Sequence, residues 1–100
     1  MRIGTTPTYT FELPFSHDIL KKVEIVFAQR EEIVLKKTLE DCECDKNTLT
    51  LKLSQSETFM FDDHPAIAVQ IRALTKSGDV VSSDDIFLFP RKCRSCEVLT

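Results

Sequence analysis

Four cysteines are the residues of this sequence whose type and spacing could support chemistry. They form two pairs, Cys42-x-Cys44 and Cys93-x-x-Cys96, and four thiolates are what a tetrahedral zinc site requires. The second spacing fits a zinc knuckle, but two cysteines one residue apart on a strand point to the same face and do not enclose an ion. We therefore favour unligated thiols, with no disulfide, no bound metal and no other cofactor. A zinc site formed by Cys42, Cys44, Cys93 and Cys96 is the alternative.

The remaining polar clusters carry weaker signals. Asp62, Asp63 and His64 precede Pro65, but their spacing matches no calcium loop, so we interpret them as a solvated loop. His17 beside Asp18 is typical of a helix start, and no nucleophile motif accompanies it. The two glycines of the chain cannot build a phosphate-binding loop. No catalytic arrangement emerges, and the sequence predicts a protein that is not an enzyme.

Composition places the chain among ordinary globular domains. It has 100 residues, 42% of them hydrophobic and 29% charged, with a net charge of −3. The acidic balance removes the electrostatic attraction on which most nucleic-acid binders depend. No apolar run is long enough to span a bilayer, and no secretory signal is visible at the N-terminus. We expect synthesis in a cytoplasm and no nucleic-acid, membrane or small-molecule partner.

Hydrophobic residues alternate with period two in several short runs, which is typical of half-buried antiparallel strands. The pattern predicts an all-β fold, a small antiparallel β-sandwich of the immunoglobulin-like type, with a small barrel as the alternative. We expect six or seven strands and one or two short helical turns. Parity along the strands predicts a core that includes Phe11, Ile25, Phe27, Leu35, Leu49, Leu51, Val69 and Ile71.

Turn residues predict how the strands connect. An odd-length loop around Arg30 and Glu31 sets Phe27 opposite Leu35, and we expect Ile33 to face inward beside Leu35. Asp45, Lys46 and Asn47 form a polar turn, and a two- or four-residue loop there sets Cys44 opposite Leu49, so both Cys42 and Cys44 are predicted to point at the core. Ser16 and Ser54 are predicted to cap single helical turns. Gly78 is expected in the left-handed position of a hairpin that leads into one last strand over residues 80–89.

The chain shows no internal repeat and no flexible linker, so we expect one domain over residues 1–100. Within it the sequence predicts an extended arm at residues 1–8, a β-sandwich at residues 9–89 and a tail at residues 90–100. The arm is rich in threonine and has few large apolar side chains, so packing on its own core would gain it little. Strand pairing with a neighbouring molecule is the more favourable source of its order.

Three segments of the sequence carry a family resemblance. They are Arg2-Ile3-Gly4-Thr5-Thr6-Pro7-Thr8, the stretch from Asn47 to Thr58, and Val69-Gln70-Ile71-Arg72 with the hairpin after it. Together they resemble small prophage-encoded structural or tail-module proteins of Gram-positive bacteria. The layout is more loosely similar to the N-terminal immunoglobulin-like module of phage baseplate upper proteins. The resemblance extends to about Phe89, so it implies no role for Cys93 and Cys96.

The resemblance implies a structural or adaptor protein of a phage virion, in the tail, the baseplate or a related component, assembled in the cytoplasm of the bacterial host. Its partners would be other phage structural proteins or copies of itself. We expect the contact to involve the arm and the edge strand that follows it. The predicted interface residues are Arg2, Ile3, Gly4, Thr5, Thr6, Pro7 and Thr8. A cytoplasmic adaptor or regulatory module that binds zinc through four cysteines is the alternative function.

Overall fold

The computed structural model describes residues 1–95 and 97–100, and strands are its main secondary structure. They are β1 (Thr8–Glu12), β2 (Leu20–Gln29), β3 (Glu32–Thr38), β4 (Glu43–Asp45), β5 (Thr48–Lys52), β6 (Ile67–Thr75), β7 (Val80–Ser82) and β8 (Ile86–Leu88). One short α-helix, α1 (Gln55–Thr58), and two 3-10 turns, His17–Ile19 and Leu39–Asp41, connect them. The all-β prediction is confirmed. Within the described ranges no helix has the length and apolar character needed to cross a bilayer.

The strands form two antiparallel sheets. One has the order β1-β5-β4, and the other has the order β3-β2-β6-β7, with β8 also paired to β6. This is the immunoglobulin order, with β1, β5 and β4 in the places of strands B, E and D and the second sheet in those of C′, C, F and G. Residues around Arg2 form a parallel bridge to Arg91 beyond β8, so the N-terminal segment lies along the second sheet. β1 therefore stands at an edge of the first sheet.

The core lies between the sheets and is filled by the inward positions of β2, β5 and β6. Side chains from both sheets belong to one buried cluster, which contains Leu20, Val23, Ile25, Phe27, Leu49, Leu51, Leu53, Phe61, Ile67, Val69, Ile71 and Ala73. Six of the eight predicted core residues are in this cluster. Phe11 and Leu35 pack against it but are only half-buried, because β1 and β3 are edge strands whose outer side is open.

The β2–β3 hairpin differs from the predicted odd loop. Arg30 and Glu31 have φ of 53° and 65°, which gives a two-residue turn with both central residues left-handed. A bulge then restores the parity: Phe27 pairs with Leu35 as predicted, while Ala28 pairs with Ile33. The bulge moves Ile33 to the outer face, where it is 64% exposed, so the expectation that Ile33 faces inward is wrong.

The predicted caps and turns are confirmed where side chains supply the local hydrogen bonds. The Ser16 hydroxyl accepts from the Asp18 N–H, and Ser54 and Glu57 form a reciprocal capping box at α1. Gly78 has a φ of +95° in the β6–β7 hairpin. The predicted single strand over residues 80–89 is instead split into β7 and β8, with residues 83–85 between them, so the described chain has eight strands where six or seven were expected.

The interruption between β7 and β8 keeps its hydrogen bonds through a side chain. Ser83 N–H donates to the Ile71 carbonyl at 2.9 Å, and the Ile71 N–H donates to the Ser83 hydroxyl at 3.0 Å. The hydroxyl takes the place of a backbone carbonyl as the acceptor. Both backbone groups of Ile71 on β6 therefore keep a hydrogen-bond partner where β7 ends.

A partly buried ion pair joins the second sheet to α1. Lys37 lies opposite Ile25 and therefore on the inner side of β3, where its ammonium group contacts the Glu57 carboxylate. The two side chains are only 17% and 21% exposed. Burial alone would raise the pKa of Glu57, but hydrogen bonds from Lys37 and from the Ser54 N–H outweigh it and hold that pKa below its usual value.

Candidate protein interface

The described cysteines lie in three different environments. Cys42 follows the second 3-10 turn, is half-buried, and its Sγ lies 3.6 Å from the Thr38 carbonyl oxygen. Burial, with smaller contributions from Cys44 and Asp41, raises the pKa of the Cys42 thiol to about 11, which makes it a poor ligand and nucleophile at neutral pH. Cys44 pairs with Leu49 as predicted, but its side chain is exposed, so the expectation that both thiols point at the core is wrong for Cys44.

The third described cysteine, Cys93, lies close to Gly4 of the N-terminal segment. A Cβ added to Gly4 would lie 3.4 Å from both the Cβ and the Sγ of Cys93. Among the described residues, no three histidine, cysteine, aspartate or glutamate side chains come close enough together to hold a metal ion. Cys96, the fourth member of the zinc alternative, lies outside the described residues.

The acidic loop before Pro65 is held by an amide side chain. Gln29 is buried, and its Nε2 donates to the carbonyl oxygens of Asp62 and Pro65, both at 2.9 Å, while its Oε1 accepts from the Asp62 N–H. Arg30 forms an ion pair with the Asp62 carboxylate. Asp63 and His64 are exposed, so the cluster is the surface loop that the sequence predicts, and Gln29 is its anchor.

His17 also has a structural contact. Its Nδ1 lies 2.6 Å from the Lys46 carbonyl oxygen, and its backbone N–H donates to the same oxygen at 2.8 Å. Because a carbonyl oxygen can only accept, Nδ1 carries the proton in this arrangement. His17 therefore ties the first 3-10 turn to the β4–β5 turn.

The beginning of the N-terminal arm packs on its own domain. Ile3 is only 7% exposed and its N–H donates to the Arg91 carbonyl at 2.9 Å, while the Arg91 N–H donates to the Met1 carbonyl at 2.8 Å. The Gly4 N–H donates to the Thr58 hydroxyl at 2.9 Å. The expectation that this segment gains little from its own core is therefore wrong for residues 1–4. Whether residues 2–8 contact another molecule stays a prediction.

The strand that follows the arm has an open backbone edge. The Pro7 carbonyl accepts from the Leu53 N–H, and Leu13 donates to the Asn47 carbonyl, so residues 7, 9, 11 and 13 turn their backbone groups toward β5. By alternation, Thr8, Thr10 and Glu12 turn their N–H and C=O groups away from the sheet. In the described part of the chain no strand lies beyond them. Their side chains are exposed, whereas Tyr9 and Phe11 pack against the core.

The other three sheet edges carry features that discourage pairing with a further strand. β3 contains the bulge, an outward Lys36 and an inward Lys37. β4 is three residues long and has an acidic residue at each end, and the β7–β8 edge is interrupted between Ser82 and Ile86. Short length, charge, inward lysine and bulges are the usual protections of sheet edges. β1 has five regular residues and only one charge, Glu12, so it is the least protected edge among the described strands.

A row of apolar residues also lies on the outer face of the second sheet. Ile33, Ala28, Ala68 and Phe87 are neighbours in register across β3, β2, β6 and β8. Phe87 is 55% exposed, and the two alanines between it and Ile33 make the centre of the row shallow. Sequence parity missed this row because the bulge, which reverses the direction of Ile33, has no clear signature in the sequence.

The signal for β1 itself was present in the sequence. Pro7 and Pro14 bound a run that alternates threonine with aromatic residues and contains no lysine.

Comparison with known proteins finds no matching family model, no matching curated protein and no matching solved structure.

Proposed function

We propose that this chain is a non-enzymatic assembly module that binds a protein partner by adding a strand to the open edge of β1. The observation that carries the proposal is the set of outward backbone groups on Thr8, Thr10 and Glu12, on the least protected sheet edge among the described strands. Strand addition takes its affinity from main-chain hydrogen bonds and its specificity from the alternating side chains.

The chemistry of the edge favours an extended peptide segment as the partner. Threonine hydroxyls and methyl groups flank the free backbone on the outer face, and the half-buried rings of Tyr9 and Phe11 lie on the inner face. β-branched and aromatic side chains on a partner strand would pack beside both kinds of group. The net charge of −3 and the acidic Glu12 give no attraction for a phosphate backbone. The proposal therefore includes no nucleic-acid, membrane or small-molecule partner.

We place this module in a phage virion, as a structural or adaptor component of the tail, baseplate or a related part that is assembled in the host cytoplasm. The support is the resemblance to prophage-encoded structural proteins, and its segments coincide with structured parts of the module. Residues 2–8 are the N-terminal segment that leads into β1, residues 47–58 contain β5 and α1, and residues 69–72 lie in β6. The partner would be another virion protein or a second copy of this chain.

A proline at Thr10 tests the proposal directly. The Thr10 N–H points away from β5, so Thr10→Pro removes an outward donor without removing a hydrogen bond of the sheet. Thr10→Val is the matched control, because it keeps the N–H and a β-branched side chain. Tagged copies of each would be expressed in the bacterium that encodes the chain, with the resident prophage induced and particles purified on a density gradient.

We expect the wild-type and Thr10→Val chains to appear in the particles by immunoblot, and the Thr10→Pro chain to remain in the soluble fraction with an unchanged circular dichroism spectrum. Absence of the wild-type chain from purified particles would contradict the virion assignment. Equal incorporation of the proline variant would show that β1 is not the contact.

A further inference from the structure

We infer that the partner at this edge is a second copy of the chain, paired antiparallel through β1 about a two-fold axis at Thr10. The inference rests on the proposed function, since it uses the same open edge. Three observations support it: the β1 edge is complementary to a second β1 edge in its hydrogen-bond register, in its rows of side chains and in its charges.

One register uses the whole edge. When Thr10 lies opposite Thr10 of the partner subunit, Thr8 lies opposite Glu12 of the partner subunit, and the reverse pair follows by symmetry. All three outward residues of each β1 then meet outward residues of the other, and each facing pair exchanges two N–H···O=C bonds. The result is one continuous sheet with the strand order β4-β5-β1 on one side of the axis and the same strands reversed on the other.

The neighbouring registers lose contacts. A shift that sets Thr10 opposite Glu12 of the partner subunit also sets Thr8 opposite Pro14 of the partner subunit, and proline has no N–H to donate. The opposite shift sets Glu12 against Thr6 of the partner subunit, which lies before the start of β1. Pro14 and the start of β1 at Thr8 therefore restrict the pairing to the Thr10 register.

Charge complementarity also favours this register. Thr8 is paired with Lys52 on β5, so Glu12 of the partner subunit would lie in the same row, one strand beyond Thr8. Two strand spacings are about 10 Å, which the extended lysine and glutamate side chains together can bridge over the small threonine. Lys52 and Glu12 are both exposed, and neither takes part in the ion pairs formed among the described residues. The two-fold axis produces this contact twice.

The inner face contributes aromatic contacts. In the same register Tyr9 lies opposite Phe11 of the partner subunit, in the closely spaced type of pair that brings side chains together. Both rings pack against their own core and are only half-buried. Pairing would bring the two rings together and extend the aromatic row across the axis.

The strand is short, so the dimer is expected to be weak. Five residues per chain bury less area than a standard interface, which indicates a dissociation constant of roughly 10 to 500 μM at low salt. A contact of this strength fits a module that gains further stability from its neighbours in an assembly.

Sedimentation velocity over a concentration series, in low salt, measures the dimer. We expect a reversible dimer for the wild-type and Thr10→Val chains, and a folded monomer for Thr10→Pro. Glu12→Lys and Lys52→Glu should each weaken the dimer by about three- to tenfold because each places like charges in one row. The double variant Glu12→Lys with Lys52→Glu exchanges the two charges and should return the dissociation constant to within about twofold of wild type.

Three results would overturn the inference. They are a wild-type chain that stays monomeric up to about 1 mM, a dimer that Thr10→Pro leaves intact, and charge variants that are not restored by their combination. If the wild-type chain is monomeric but Thr10→Pro is still lost from phage particles, the edge binds a different protein and the proposed function stands. The charge variants do not alter backbone geometry, so they test the dimer even if the proline variant fails to fold.

Discussion

Neutralising Glu57 tests whether the pair with Lys37 stabilises the fold. Glu57→Gln keeps an oxygen that can accept the Ser54 N–H, now at 2.9 Å, but removes the charge that faces the lysine. A hydrogen bond to a charged group contributes about 1.5–3 kcal/mol and a neutral one about 0.5–1.5 kcal/mol. Since both side chains retain about a fifth of their exposure, we expect the lower end of the difference, about 1 kcal/mol at pH 7.

The pH dependence has a definite sign. The pKa of Glu57 is lower in the folded chain than in the unfolded one, because bonds from Lys37 and Ser54 outweigh the effect of burial. Stability from this group is therefore fully present above the unfolded pKa of about 4.3 and is lost as the pH falls through the folded value. The difference in the free energy of unfolding between wild type and Glu57→Gln should be largest at pH 7 and should shrink as the pH falls below about 4.

Urea unfolding followed by circular dichroism, at pH 7, 5 and 3, measures the difference at each pH. Glu43→Gln is the matched control, because Glu43 is exposed on β4 and forms no ion pair among the described residues. A difference of the same size at pH 3 and pH 7 would refute the ionic origin. A Glu57→Gln variant as stable as wild type at pH 7 would show that the pair contributes nothing.

Two further predictions follow from the N-terminal segment and the cysteines. Ile3→Ala should lower the free energy of unfolding by about 2 kcal/mol, because Ile3 is only 7% exposed and packs against its own domain. Urea unfolding measures this loss, and a value below about 0.5 kcal/mol would show that the N-terminal segment detaches in solution. At pH 8 iodoacetamide should modify Cys44 well before Cys42, as resolved by peptide mass spectrometry, because burial raises the pKa of Cys42 to about 11 while Cys44 is exposed; equal rates would contradict the packing of Cys42.

The sequence predicted the central strands well because each has neighbours on both sides and one buried face. Val69 and Ile71 alternate with polar or small residues, and Ile25 and Phe27 keep the same period-two parity as Val23, which is sufficient to assign their direction. Parity was insufficient at the edges. Cys44 shares a face with the buried Leu49 and is nevertheless exposed, since β4 is the outermost strand of its sheet and the facing sheet does not cover it.

The candidate interface was only partly predictable. Period-two alternation predicted the edge strand that follows the arm, and this strand is β1. The position of residues 1–4 depends on contacts with Arg91 and Thr58. Both are distant in sequence, and no local sequence pattern predicts these contacts. Sequence analysis also did not predict that Lys37 faces inward. A lysine can lie near the core here because its charge is paired with Glu57 of α1, and strand parity alone does not indicate that partner.

The parallel bridge between Arg2 and Arg91 has a mechanical consequence. The two segments run in the same direction, so tension applied to the two ends of the chain would pull them past each other along their length. The bonds from Ile3 to Arg91 and from Arg91 to Met1 lie across that direction and would be strained together. Loaded in shear, they must break in concert, whereas an antiparallel hairpin loaded at its open end unzips one bond at a time. The parallel direction of these two segments therefore makes the bonds between them share a load applied along the segments, instead of taking it one bond at a time.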